Sequence, residues 1–215
     1  MRKLIVNTFV SLDGVMQAPG GPEEDPTGGF THGGWAVNHF DDEMQTRMAE
    51  SAPYELLLGR GTYEIFAAHW PYAEGPIADQ LNGTRKHVAS TTLERVGWSN
   101  STLIDGDVAE YVAARKDEDG PELQVHGSAG LIQTLLEHDL IDELRVWIFP
   151  VVLGGGKRLL GGGAIPAELR LLDSTVTSTG VTINVYARAG ELEPGSFAFD
   201  EPSEAEIERR QRLRN

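Results

Sequence analysis

Two short stretches of the chain combine glycine, hydroxyl and basic side chains in a way that suits phosphate binding. In Gly59-Arg60-Gly61-Thr62 the glycines let a backbone come close to a ligand, and Arg60 can grip a phosphate with two parallel hydrogen bonds. His126-Gly127-Ser128-Ala129-Gly130 falls where an alternating strand pattern hands over to a helical one, so free N–H groups at the helix start would point at an anion. Each stretch also has a plainer explanation: a glycine after a strand beside a surface arginine, and a tight connection that needs small residues in any case. Gly154-Gly155-Gly156-Lys157 invites comparison with a phosphate loop and fails it. Arg158 stands where Ser or Thr would reach magnesium, and Val151 stands where the leading glycine should be.

Other chemistries are disfavoured. The histidines at 32, 39, 69, 87, 126 and 138 have no ligand spacing and there is no cysteine, so no metal site is expected. Ser11, Ser90 and Ser128 lack the setting of a hydrolase nucleophile. Asp13 reads as a turn residue before Gly14, and Asp41, Asp42 and Glu43 as favourably placed acids in the first turn of a helix. Trp70, in His69-Trp70-Pro71, either walls a planar ligand or covers the core edge. Lys157 reads as a surface lysine at a glycine turn.

These residues need a scaffold, and 215 residues with 40% hydrophobic and 24% charged side chains suit one folded domain. Residues 2–10 read as a strand rather than a signal peptide, running into a turn at Ser11-Leu12-Asp13-Gly14 and then a glycine- and proline-rich loop over 17–35, a candidate lid. Met44, Met48 and Ala52 mark a helix from Asp41, and Tyr54–Leu58 a short buried strand before the first glycine turn. Lys86–Ser90 reads as a strand, and Val108–Arg115 as a helix capped by Asp107. Leu123 and Val125 mark a strand before the second glycine turn, and Leu131–Leu140 the helix after it. Leu144–Val152 is an apolar strand whose Pro150 suggests an edge or bulge, and 169–188 read as an antiparallel hairpin. The expectation is an α/β domain with a mixed sheet over 1–190, followed by a charged tail over 191–215 that is either a helix or disordered.

A net charge of -15 and a pI near 4.7 remove the basic footprint of proteins that bind nucleic acid or anionic lipid. An anionic dinucleotide stays admissible, because backbone N–H groups and one arginine act locally. No apolar stretch reaches the ~18 to 20 residues of a membrane span, and a cytoplasmic location is expected.

Ser11-Leu12-Asp13-Gly14, Leu58-Gly59-Arg60-Gly61-Thr62-Tyr63-Glu64, Val125-His126-Gly127-Ser128, and Ile141-Asp142-Glu143-Leu144 through Pro150-Val151-Val152-Leu153-Gly154-Gly155-Gly156-Lys157 together resemble one family in order and spacing. It is the dihydrofolate reductase-like superfamily, in the branch similar to the C-terminal reductase domain of bifunctional riboflavin-biosynthesis enzymes. The resemblance implies a three-layer α/β fold with a mixed, mostly parallel sheet, ending in an antiparallel hairpin, with NADP across the carboxyl ends of the strands. It implies that Gly59, Arg60 and Thr62 meet the cofactor phosphates and that Ser90 and Thr91 lie near the adenosine phosphate. It further implies that Gly127, Ser128 and Ala129, with Leu131 beyond them, hold the pyrophosphate, and that Leu12, Asp13 and Gly14 pass the nicotinamide. Asp13, Asp42 and Glu43 are then candidate proton donors, and Trp70 and Lys157 candidate substrate contacts.

The function expected from the resemblance is NADPH-dependent hydride transfer to a small planar heterocycle. That substrate would be pterin-like or an aminopyrimidine such as 5-amino-6-(5-phosphoribosylamino)uracil, and the enzyme would act as a homodimer. The alternative is a catalytically silent NADP-binding or oligomerising module of the same fold. A lower-ranked variant is a structural homodimer that uses the apolar strand from Leu144 to Leu153 as its interface.

Overall fold

A computed structural model describes residues 1–49, 53–161 and 165–214. Ala52, expected to end the first helix, and Gly162 and Gly163 of the second glycine tract lie outside them. In chain order the elements are β1 (Leu4–Ser11), α1 (Asp42–Ala49), β2 (Tyr54–Gly59), α2 (Arg60–His69), α3 (Pro76–Gly83), β3 (Lys86–Ala89) and β4 (Ser101–Leu103). They continue with α4 (Val108–Asp117), β5 (Glu122–His126), α5 (Ala129–Glu137), β6 (Glu143–Phe149), β7 (Glu168–Val176), β8 (Thr182–Gly190) and α6 (Glu204–Arg212). The helix starts follow local chemistry. Asp107 accepts the amides of Ala109 and Glu110, Ser203 accepts that of Glu206, and Pro76 opens α3 where its missing N–H costs nothing.

Among the described residues the strands form one sheet in the order β4-β3-β2-β5-β1-β6-β8-β7. The first six run parallel, and β8 and β7 are antiparallel additions. One face is continuous core: Leu4, Val6, Leu57, Leu123, Val125, Leu144 and Val146 pack against Val112 of α4 and Ile132 and Leu135 of α5. The opposite face is split. At one end Leu56, Leu58 and Val88 pack under Tyr63 of α2 and Leu81 of α3, and at the other Trp147, Phe149 and Ile183 pack under Met44 of α1. Between the two clusters β5 and β1 present Glu122, Gln124, His126 and Asn7, side chains that call for partners rather than a helix lid. A cleft opens there, at the carboxyl ends of the central strands.

The apolar strand after Leu144 stops at Phe149 and is interior, hydrogen-bonded to β1 on one side and β8 on the other. Pro150 follows the strand instead of marking an edge, because both of its flanks need every ladder amide. The proposed interface on this strand is therefore corrected: Trp147 is 4% exposed, covered by its own chain. The edge strand β7 instead exposes four apolar residues, Leu169, Leu171, Leu172 and Val176. No helix among the described residues is long and apolar enough to cross a membrane.

The wall formed by α3 is tied down by one buried cation. The Lys86 ammonium, fully buried, donates to the carbonyls of Asn82 (3.4 Å), Thr84 (2.6 Å) and Ser99 (3.0 Å) and lies 4.1 Å from the centre of the Trp98 ring. The Asn82 and Thr84 carbonyls close α3 and that of Ser99 belongs to the turn before β4, so the ammonium ties the two segments together. Lys86→Met, which keeps the packing but removes the donors, should lower stability by about 1–3 kcal/mol in urea unfolding, the cost of buried acceptors left unpaired. An unchanged midpoint would mean that the cage contributes nothing.

Candidate active site

The two glycine turns meet. β2 ends at Gly59 and β5, its neighbour in the sheet, at His126, so both turns leave the sheet at adjacent points. The Thr62 hydroxyl oxygen accepts the Ser128 amide at 2.8 Å, and the Ser128 hydroxyl oxygen accepts the Gly59 amide at 3.0 Å while donating to the His126 carbonyl at 3.2 Å. Ser128 holds a left-handed conformation (φ 59°, ψ 49°), which costs an ordinary residue roughly 1–2 kcal/mol, and these bonds on both sides of it offset that strain. Gly127 is left-handed too (φ +56°), and a Cβ there would meet the Thr62 hydroxyl at 3.2 Å. Neither α2 nor α5 has a side chain capping its first amides, so two uncapped helix starts face one cleft.

That cleft is a cavity of about 1270 Å³. Gly59, Arg60, Thr62, Gly127, Ser128, Ala129 and Leu131 all line it, as do Trp70 and Lys157. The Arg60 guanidinium is held at the rim by Glu64 (2.9 Å) and the Thr92 hydroxyl (2.7 Å). Trp70 stands edge-on to Phe66, with centroids 6.1 Å apart, in an apolar wall shared with Ile65, Ile77 and Leu81.

Several expected site residues do other work. Asp13 is not on the cavity wall. Its carboxylate accepts the Ser11 hydroxyl (2.7 Å) and the amides of Leu153 (3.1 Å) and Gly154 (2.8 Å), clasping the turn after β1 to the glycine-rich segment. The Ser11 hydroxyl, then the two amides, pull its pKa down to about 2, so it has no proton to give near neutral pH. Leu12 and Gly14 belong to the same clasp, through their backbone bonds to Val151 and Leu159, and do not line the cavity. Asp42 and Glu43 are exposed outside the cleft, Glu43 pairing with Arg47 along the helix. Asp41 caps α1 through the Met44 amide and accepts from Ser178, which together hold it below the usual carboxylate range. Ser90 folds the turn after β3 by accepting the amides of Thr92 and Leu93, and neither it nor Thr91 lines the cavity. Thr92 is the residue that reaches Arg60. Lys157 is paired with Asp25 at 2.6 Å, so its charge is already met.

The loop over 17–35, expected as a lid, is folded around Gln17. Its side-chain amide donates to the carbonyls of Asp25 and Thr27, both at 2.9 Å, and accepts the Lys157 amide at 3.0 Å. The loop thereby brings Glu23, Glu24 and Asp25 to the cavity wall, carboxylates that pattern reading could not place there because no periodicity marks a loop. Burial pushes the Glu24 carboxyl up from its ordinary value, against the opposing amides of Gly20 and Gly21. The floor carries Asn7, Tyr54, His126 and Trp147, also missed. The one signal for them was Asn7, a polar residue inside an otherwise apolar strand. Among the described residues no group of three or more His, Asp or Glu is arranged to hold a metal ion.

Residues 2–183 match the model of the RibD C-terminal domain family. Two Bacillus subtilis (strain 168) proteins are each 27% identical to the chain: YyaP over 194 residues, covering 86% of this chain and 94% of YyaP, and YwjB over 191 residues, covering 87% and 99%. Among solved structures, the "Putative riboflavin biosynthesis protein" of Shewanella sp. PV-4 superposes with a TM-score of 0.61 at 22% identity, over 87% of this chain and 99% of that one. Dihydrofolate reductase from Enterococcus faecalis, complexed with NADP(H) and RAB-propyl, gives 0.57 at 14% identity, over 86% and 96%. The sheet order, the antiparallel hairpin at its end and these likenesses make the fold dihydrofolate reductase-like. By the family match over most of its length, the chain belongs to the RibD C-terminal domain family.

Proposed function

We propose that the chain is an NADPH-dependent reductase that passes a hydride to a small planar heterocycle, pterin-like or an aminopyrimidine of the riboflavin-pathway type. The observation that carries this reading is the reciprocal bonding of Gly59 and Thr62 with Ser128, which turns two uncapped helix starts into one anion cradle. The family, and a neighbour of the same fold complexed with NADP(H), support a dinucleotide as the anion. The residues present fit it. A Cβ at Gly61 or Gly130 would meet no atom within 4 Å although both line the cavity, so the backbone stands open to a ligand at both turns. The cavity, about 1270 Å³, also exceeds the ~300–1,000 Å³ of a single-ligand cleft.

Bound NADPH would supply the hydride, and the protein needs no nucleophile. Arg60 and the amides at the starts of α2 and α5 neutralise phosphate charge. Phe66, Trp70, Ile77 and Leu81 wall a flat ring and exclude water. Of the wall carboxylates, Glu23 is exposed, Asp25 is engaged by Lys157 and Glu64 by Arg60, whereas burial favours the protonated form of Glu24. Glu24 is therefore the group suited to supply a proton. The unit doing this is residues 1–190, and in the homodimer the second copy meets the exposed leucines of β7.

The second reading, a silent NADP-binding module, is favoured by one observation: none of Asp13, Asp42 and Glu43 lines the cleft. It predicts that NADPH binds while no heterocycle accelerates its oxidation.

Under the reductase reading NADPH should raise the melting temperature more than NADH, and Arg60→Ala should largely remove the difference. Equal shifts with both cofactors would defeat the NADP assignment. Glu24→Gln, which still accepts the Gly20 and Gly21 amides, should lower kcat about 10²–10⁴-fold with NADPH affinity unchanged. Because the protonated acid is the active form, the wild-type rate should fall as pH rises through the raised Glu24 pKa, and this limb should vanish in the variant. Leu171→Lys should convert the dimer to a monomer in sedimentation. An unchanged dimer would remove β7 from the interface.

A further inference from the structure

The polar row on the cleft floor fixes the protonation pattern of one histidine from two independent ends. At one end the Trp147 indole N–H can only donate, and it lies 2.9 Å from the Asn7 carbonyl oxygen. The Asn7 NH₂ must then face Gln124, whose side-chain oxygen is 3.4 Å away. At the other end Arg145 donates to both oxygens of Glu122, at 2.8 and 3.1 Å, so that both of these oxygens act as acceptors. The Gln124 NH₂ must donate to it, at 2.5 Å, which again turns the Gln124 oxygen toward Asn7 and His126. Both ends demand the same orientation.

His126 Nε2 lies 2.8 Å from that Gln124 oxygen and must carry the hydrogen. Burial, with a smaller contribution from Arg145, pulls the imidazole pKa down to about 4, so the ring is neutral and Nδ1 keeps a bare lone pair. Among the described residues Nδ1 has no hydrogen-bond partner, and His126 lines the cavity beside Asn7 and Tyr54. The Tyr54 ring sits 5.6 Å from the imidazole, and burial together with Glu122 keeps its hydroxyl protonated, its pKa raised to about 12. The floor therefore offers an acceptor in a neutral, partly apolar setting, where an unpaired lone pair is costly.

We propose that His126 is a specificity-determining residue of the cleft, locked as the Nε2–H tautomer so that Nδ1 accepts a hydrogen bond from an N–H on the edge of the bound ring. The proposal rests on the reductase reading and narrows its substrate to planar heterocycles with an amino or ring N–H at that edge. A ring with a carbonyl in that place sets two lone pairs against each other, and one with a methyl leaves Nδ1 without water or partner.

¹⁵N NMR of the free, full-length protein tests the lock directly. His126 should show a protonated Nε2 and a bare Nδ1, and should stay neutral well below pH 6. Trp147→Phe alone should leave that tautomer in place, because Glu122 still orients Gln124, while Trp147→Phe combined with Glu122→Gln, which frees both ends of the row, should give a mixture of tautomers. A protonated Nδ1 in the wild type overturns the proposal. With the protein saturated by NADP, 2-aminoquinazoline should bind about tenfold tighter than the isosteric 2-methylquinazoline, the worth of one hydrogen bond to a buried acceptor. His126→Phe should abolish that preference at unchanged NADP affinity. No preference in the wild type, including no binding of either ring, or a preference that survives in His126→Phe, overturns the assignment. Failure of NADP itself to bind would instead sink the reductase reading, and the tautomer measurement judges His126 apart from it.

Discussion

The hydroxyls of Thr62 and Ser128 cross-link the ends of two neighbouring strands, and the site depends on that exchange. Parallel strands deliver their carboxyl ends to one edge of the sheet, but the helices that follow could start in many directions. Here the start of α2 supplies the oxygen that holds the Ser128 amide, and Ser128 supplies the oxygen that holds the last amide of β2. Each turn is thus the other's cap. The usual solution, a Ser or Asp capping its own helix, would consume the amides that the cleft keeps open. Ser128 meets the conformational cost of this arrangement with its own side chain, which is why a serine can stand where its φ alone would favour glycine.

The cleft exists because one face of the sheet is not allowed to close. Two apolar clusters cover its ends, and either could have been continued across β5 and β1 by aliphatic side chains. Instead the alternation puts aliphatic residues of both strands on the side of α4 and α5, and Glu122, Gln124 and His126 of β5 with Asn7 of β1 on the other. A helix packed over Gln124 and Asn7 would strand their amides, whereas a cleft lets them bond along the sheet, from Trp147 through to Arg145. The same row that prevents closure also gives the floor a fixed pattern of donors and acceptors.

The strands, both glycine turns and the final hairpin were legible because each has a short-range signal: apolar alternation, Gly after a strand, a turn between two β-rich runs. What was not legible depended on contacts between distant segments. Asp13 before Gly14 reads equally as an acid or a turn residue, and its work as a clasp shows only when the Leu153 and Gly154 amides, 140 and 141 residues away, arrive on its carboxylate. β6 looked like an edge because of Pro150, and one residue of boundary error was enough to place the proline inside the strand. Helix α3 and strand β4 are too short to show a period, eight and three residues respectively. The wall carboxylates sit on a loop whose path is set by Gln17, a residue with no motif around it.

An acidic chain with an anion cradle is not a contradiction once distances are considered. At physiological ionic strength charges separated by more than about 8 Å are largely screened, so the net charge of -15 acts mainly on large polyanions approaching from afar. Inside the cleft the relevant groups are the amides of two helix starts and Arg60, at contact and partly shielded from water, where their effect is several times larger than in bulk solvent. Glu64 stands on the same helix as the cradle's first turn and is engaged by Arg60 itself, which orients the guanidinium. Discrimination follows from the two ranges acting together. On the reductase reading, nucleic acids and anionic membranes would meet the repulsive outer field, while a dinucleotide small enough to enter would be met by donors whose orientation the strand ends have already fixed.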